Sequence, residues 1–139
     1  MSYYADHGFE AVAPNDLKGR PASPAVQRFV VEGVGPVSVS GMPVGGRILL
    51  AHGAGVGHLS DFMRQFAAML VSQGLQVWAI DFPYMQQMSE QAKRRPPPPV
   101  ATSVDHFAAW YDLLAPLHDT PLWLGGKSMG GRVASLLAT

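Results

Sequence analysis

A serine lies between spaced glycines in Gly126-Lys127-Ser128-Met129-Gly130, eleven residues before Thr139. The pentad follows an apolar run, Pro121-Leu122-Trp123-Leu124-Gly125, and leads into a helix-like stretch, Gly131-Arg132-Val133-Ala134-Ser135-Leu136-Leu137-Ala138. Strand, sharp turn and helix form the setting in which G-x-S-x-G becomes a nucleophile elbow. The serine of an elbow holds a strained backbone conformation. Side chains at Gly126 or Gly130 would collide with the crossing strand and helix. Such a turn points the Ser128 Oγ outward, where it can attack a carbonyl.

Attack at a carbonyl builds negative charge on its oxygen, and two preorganised backbone N–H groups are the usual stabilisers. One is expected from Met129, the residue after the nucleophile. The other is expected from Ala54, in the turn His52-Gly53-Ala54-Gly55-Val56-Gly57, where Gly53 and Gly55 keep the backbone accessible. His52 is expected to shape that turn rather than act as base. A base would follow the serine, after an acid, yet His7, His52, His58, His106 and His118 all precede Ser128. Asp81 precedes it too, and is expected to cap or brace the loop beginning at Phe82-Pro83.

Other chemistries fit less well. A phosphate-binding loop around Lys127-Ser128 needs a glycine where Pro121 stands. Gly53-x-Gly55 with Asp81 at the end of the next strand imitates a dinucleotide site, but His58 occupies the place of the third glycine. Lys127 next to the serine points elsewhere in a tight turn, which disfavours a serine–lysine dyad. Lys93-Arg94-Arg95-Pro96-Pro97-Pro98-Pro99 reads as a stiff, solvated connection that could edge a lid. No His, Asp and Glu cluster has metal-ligand spacing.

The elements that must position these groups alternate. Arg28–Glu32 and Pro36–Ser40 read as short strands, and Ile48–Ala51 as a strand buried on both faces. A helix opened by Ser60 or Asp61 follows, with Phe62, Phe66, Met69 and Leu70 on one face, Met63 and Ala67 widening it, and Gly74 closing it. Leu75–Ile80 is the next strand, residues 85–99 a connection, and Thr102 with Asp105 a capping-box-like start to a helix. That helix runs through Val104, Phe107, Ala108, Tyr111 and Leu114 to Pro116. Strand–helix alternation predicts an α/β fold, a mostly parallel sheet with helices on both faces. Its site then lies beyond the carboxyl ends of the strands, where His52–Gly57, Asp81–Tyr84 and Lys127–Gly130 fall. Residues 1–25 read as a loose N-terminal leader and 26–139 as the domain.

Of the 139 residues, 47% are hydrophobic, enough for a packed core. Ten basic and ten acidic residues cancel, which gives no electrostatic reason to expect nucleic acid or an anionic membrane as partner. There is no cysteine, so disulfides, thiolate metal sites and cysteine nucleophiles are excluded. The N-terminus carries no signal-peptide pattern and no apolar run approaches a membrane span, so a cytoplasmic location is expected.

Taken together, Leu49–Gly55, Asp81–Met85, Lys93–Pro97 and Gly125–Arg132 resemble the α/β-hydrolase superfamily. The resemblance is to a group of small bacterial hydrolases related to dienelactone hydrolases. That group is similar to a hydrolase-like domain in a subunit of a eukaryotic histone-acetyltransferase complex. It implies a nucleophile at Ser128, oxyanion amides near Ala54 and Met129, and no metal or organic cofactor. It also implies an acid and a histidine on later strands, which this chain does not contain, so the chain corresponds to the N-terminal half of the fold. The expectation is an esterase-like serine hydrolase of small acyl substrates, with the 139-residue chain alone nearly inactive and marginally folded. The alternatives are a non-catalytic hydrolase-like interaction module and, more remotely, a dinucleotide-binding protein. Substrate identity and oligomeric state are not specified by the residues.

Overall fold

The computed structural model describes residues 2–139 and is built on one six-stranded sheet. In chain order the elements are α1 (Ser2–Asp6), β1 (Glu10–Val12), β2 (Ser23–Val31), β3 (Gly35–Gly41), β4 (Arg47–Ala51) and α2 (Asp61–Ser72). Then come β5 (Gln76–Ile80), α3 (Pro83–Gln91), α4 (Val100–Leu114), β6 (Leu122–Gly126) and α5 (Met129–Ala138). The strands lie in the order β1-β2-β3-β5-β4-β6. Strand β3 runs antiparallel to β2 and β5, while β5, β4 and β6 are mutually parallel. The expected α/β class and parallel core are present.

Period-two alternation along the central strands divides the core into two layers. Leu49, Ala51, Trp78 and Ile80 face α3, α4 and α5, meeting Tyr84, Phe107, Trp110 and Val133. Leu50, Val77 and Ala79 face α2 through Met63. Helix α2 is capped by Ser60, whose hydroxyl accepts from the Met63 N–H at 3.2 Å. Its inward stripe is Met63, Phe66, Ala67, Leu70 and Val71. Phe62 and Met69, expected on that face, are about half exposed, because a helix turned to bury Met63 rotates both outward.

Three further expectations change. The leader is folded from residue 2: Tyr4, Phe9, Val12 and Leu17 are buried, and β1 pairs in parallel with β2. The connection 85–99 contains most of α3, which starts with Pro83 at its first position, where the missing N–H costs nothing. Lys93–Pro99 does remain irregular. Finally, α4 begins at Val100, so Thr102 lies inside its first turn and forms no capping box; its buried face is Ser103, Phe107, Trp110 and Leu114.

Arg47 fixes the end of α4 to the start of β6. Its side chain is almost fully buried and donates to the carbonyls of Leu114, Ala115, His118 and Thr120 at 2.7 to 3.1 Å. These carbonyls close a helix and a turn, and one guanidinium ties them together. That clamp sets β6 beside β4, and β6 carries Ser128 at its far end.

Candidate active site

The carboxyl ends of β5, β4 and β6 lie side by side and deliver three turns to one rim. At the β6 end Ser128 has φ +55° and ψ −115°, a conformation that a residue with a Cβ rarely adopts. The residue is exposed, and its hydroxyl has no hydrogen-bond partner among the described residues. Its backbone is held from both sides: Gly130 N–H donates to Lys127 C=O at 2.9 Å, and Arg132 N–H to Ser128 C=O at 3.1 Å. Lys127 N–H donates to Ala51 C=O at 3.1 Å, tying the turn to the end of β4.

The glycines permit these approaches. A Cβ on Gly126 would lie 2.6 Å from the Gly130 carbonyl oxygen, and one on Gly130 would lie 2.6 Å from the Ala51 carbonyl oxygen. Gly53 faces the serine, since a Cβ there would be 3.8 Å from the Ser128 Cβ. Gly55 meets nothing and is open. Among the described residues, the N–H groups of Met129 and Ala54 donate to no protein acceptor. Met129 begins α5, so its free N–H sits at the positive end of a helix.

His52 is fully buried below this rim. The Phe82 N–H donates to its Nε2 at 3.1 Å, which puts the ring proton on Nδ1, and Nδ1 donates to the Gly53 carbonyl at 2.5 Å. The ring thus links the β4 turn to the β5 turn. Burial lowers its pKa and keeps it neutral. Tyr84 completes the brace by donating to the Ala54 carbonyl at 3.0 Å; burial and the nearby Asp81 push its phenol up to about 12. The sequence places Tyr84 only at the end of the Asp81–Tyr84 turn, because nothing local signals a contact thirty residues away.

Asp81 braces a different partner from the one expected. Its carboxylate accepts from Tyr4 OH at 2.7 Å and from the His58 N–H at 2.8 Å, with His58 Nδ1 a further 2.8 Å contact. Burial opposes its charge, but the charge and hydrogen bonds of His58, with His52 beyond, outweigh that and hold the carboxyl well below the usual range. Gly57 allows the approach, since a Cβ there would be 2.6 Å from Asp81 Oδ1. With these partners and 2% exposure, Asp81 offers nothing to a ribose.

None of the five histidines hydrogen-bonds Ser128. His7 pairs with Tyr3, His58 with Ser38 and Asp81, His118 with Thr120, and His106 accepts from Trp110 Nε1 at 3.1 Å. Beside Ala54 and Gly55 a cavity of about 310 Å3 opens, walled by Met88 and by Arg94 to Pro97. The basic, proline-rich stretch therefore borders the rim.

The buried histidines predict acid sensitivity. Burial, with His52 nearby, pulls the His106 pKa from 6.5 to about 4. The unfolded chain then binds more protons than the folded one across that window. The stabilisation is complete above 6.5 and is lost as pH falls toward 4, with His106 contributing about 3 kcal/mol. Melting temperatures taken between pH 7 and 4.5 should fall steadily, and fall less in His106→Gln, which keeps an acceptor for Trp110. Equal slopes would refute the assignment.

The chain has recognisable relatives among known proteins. A family profile described as "Alpha/beta hydrolase domain" matches residues 44–139. No curated protein matches the chain. Among solved structures, dienelactone hydrolase from Anabaena variabilis ATCC 29413 superposes with a TM-score of 0.65 at 20% identity, over 81% of this chain and 57% of that one. A cold-adapted esterase from an Arctic intertidal metagenomic library gives 0.58 at 22%, over 86% and 57%. An alpha/beta hydrolase fold protein from Nakamurella multipartita gives 0.52 at 24%, over 82% and 36%. The chain thus spans little more than half the length of the first two. These likenesses show the fold, and with the profile match the chain belongs to the alpha/beta hydrolase family.

Proposed function

We propose that the chain carries the nucleophile half of a serine hydrolase that cleaves ester or related acyl bonds of small molecules. The observation that carries this reading is the Ser128 turn, with an exposed hydroxyl on a left-handed residue that the flanking structure over-determines. The Oγ adds to the carbonyl carbon and the carbonyl oxygen becomes an anion. The N–H groups of Met129 and Ala54 receive that charge. Collapse expels the alcohol and leaves an acyl-enzyme, which water then releases. His52 and Tyr84 are positioning residues that hold the Ala54 turn while charge develops.

A proton must leave Oγ as it attacks, and no described histidine is bonded to it. In this reading the base and its orienting acid come from beyond Thr139, and the 139-residue chain alone hydrolyses activated esters at close to background. That same observation favours the second reading, a hydrolase-like interaction module whose serine is unreactive.

Fluorophosphonate labelling of a protein continuing past Thr139 separates them. Expected are covalent capture at Ser128 and loss of capture in Ser128→Ala, with kcat falling by about a thousandfold or more. A folded protein that leaves Ser128 unlabelled favours the module.

A further inference from the structure

A second polar constellation lies on the opposite face of the sheet, under α2. Along β3 the residues Val37 and Val39 enter the main core, so Ser38 and Ser40 face α2. Two small side chains there leave space where larger apolar ones would have filled it. Strand β2 widens the gap: between the pairs Ser23–Gly41 and Gln27–Val39 it has three residues opposite Ser40 alone, a bulge that lifts Pro24 and Val26 off the ladder. The result is a cavity of about 390 Å3, floored by Met63, Ala67, Val71 and Ala79.

Its polar end is unusual. Ser38 Oγ lies 2.8 Å from His58 Nε2, and His58 Nδ1 lies 2.8 Å from Asp81 Oδ1. Directly across the ladder from Ser38 stands Arg28, whose Nε is buried without a hydrogen-bond partner among the described residues. The guanidinium carbon lies 5.9 Å from the centroid of the Phe9 ring, and Arg28 forms no ion pair among the described residues. Arg28 and Arg64 both line the cavity, and no acidic residue does. Arg64 has Asp61 at 2.5 Å, so Arg28 is the cation left without an anion. A buried, unpartnered guanidinium N–H costs free energy that a ligand oxygen would recover.

The order serine, histidine, aspartate imitates a hydrolytic relay. Ser38, however, sits in mid-strand, paired with Arg28 on one side and Ala79 on the other. It lacks the exposed turn that makes a nucleophile and its oxyanion donors accessible. The chemistry is that of binding. A cation and a hydroxyl at one end of an apolar chamber of this size suit a small amphiphile.

We propose that this cavity is a binding site for an apolar monocarboxylate, a short fatty-acid-like anion. Its carboxylate meets Arg28 and Ser38, and its tail lies along Met63, Ala67 and Val71. The site is separate from the Ser128 rim and does not rest on the hydrolase reading.

Calorimetric titration of the 139-residue chain with octanoate tests it. Octanoate is expected to bind at one site. Octan-1-ol, which has the tail without the charge, should bind at least about tenfold more weakly, as should octanoate to Arg28→Met. Arg28→Lys should recover part of the affinity. Ala67→Phe fills the chamber from the helix side and should abolish binding, so the proposal stays testable if Arg28→Met does not fold. Absence of octanoate binding to the unaltered chain overturns the site. So does undiminished binding to Ala67→Phe, which would put the ligand elsewhere, or octan-1-ol binding as tightly as octanoate.

Discussion

Gly130→Ala should cost about 4 kcal/mol or more, most of the stability of a domain at the low end of the ordinary range. The added Cβ meets the Ala51 carbonyl oxygen at 2.6 Å and the Ala51 carbonyl carbon at 2.7 Å. Both are backbone atoms of β4, a strand paired on both sides by β5 and β6. No rotamer change relieves such an overlap, so the helix must lift off the sheet or the ladder must shift. Gly55→Ala provides the contrast. Nothing lies within 4 Å of a Cβ there, and the change should stay within about 0.5 kcal/mol. Urea titrations of the two variants measure the difference directly. Similar midpoints would mean that α5 does not pack against the end of β4 as described.

The two glycines also show what a sequence can reveal. The pentad around Ser128 is local: strand, turn and helix are contiguous, and the crowding at Gly126 arises from that contiguity, whereas Gly130 is crowded by the end of β4. The alternation from Arg47 onward was legible for the same reason, because each buried strand is a short apolar run bounded by turn residues. Helix α3 was not. It has nine residues and stops at Ala92 in the left-handed region, φ +51°, where a glycine would have announced the end. The N-terminal segment was hidden for a different reason. Its elements are short and make sense only against partners far along the chain, as Tyr4 does against Asp81, 77 residues away. Periodicity cannot report a contact of that kind. The buried faces of α2 and α4 were read only in part, because apolar residues such as Phe62, Met69 and Tyr111 also lie on the exposed side of each helix.

Asp81→Ala should cost about 3–5 kcal/mol, the second large effect, and its consequences should reach well beyond the mutated turn. The carboxylate is the acceptor for Tyr4 OH and for the His58 N–H, and the counter-charge to the His58 ring. Truncation leaves all three buried groups facing an empty space, and the penalty for unmade bonds exceeds what the bonds themselves contribute. Tyr4 belongs to α1, which has only five residues and cannot hold itself together as an isolated helix. Its anchorage to α3 and β5 depends on the packing of Tyr4 and on this one hydrogen bond. Hydrogen exchange should therefore accelerate first at Tyr4 to His7, then in the His52–Gly57 turn, whose far end hangs from Asp81 through His58. Acid adds an independent check. The folded carboxyl titrates below its ordinary 3.8, so its stabilisation is complete above that value and is lost as pH falls through the lower folded value. The unaltered chain should lose stability along that limb and Asp81→Ala should not. An unchanged acid limb in the variant would transfer the effect to other carboxylates, and unaltered exchange at Tyr4 would show that α1 is held without Asp81.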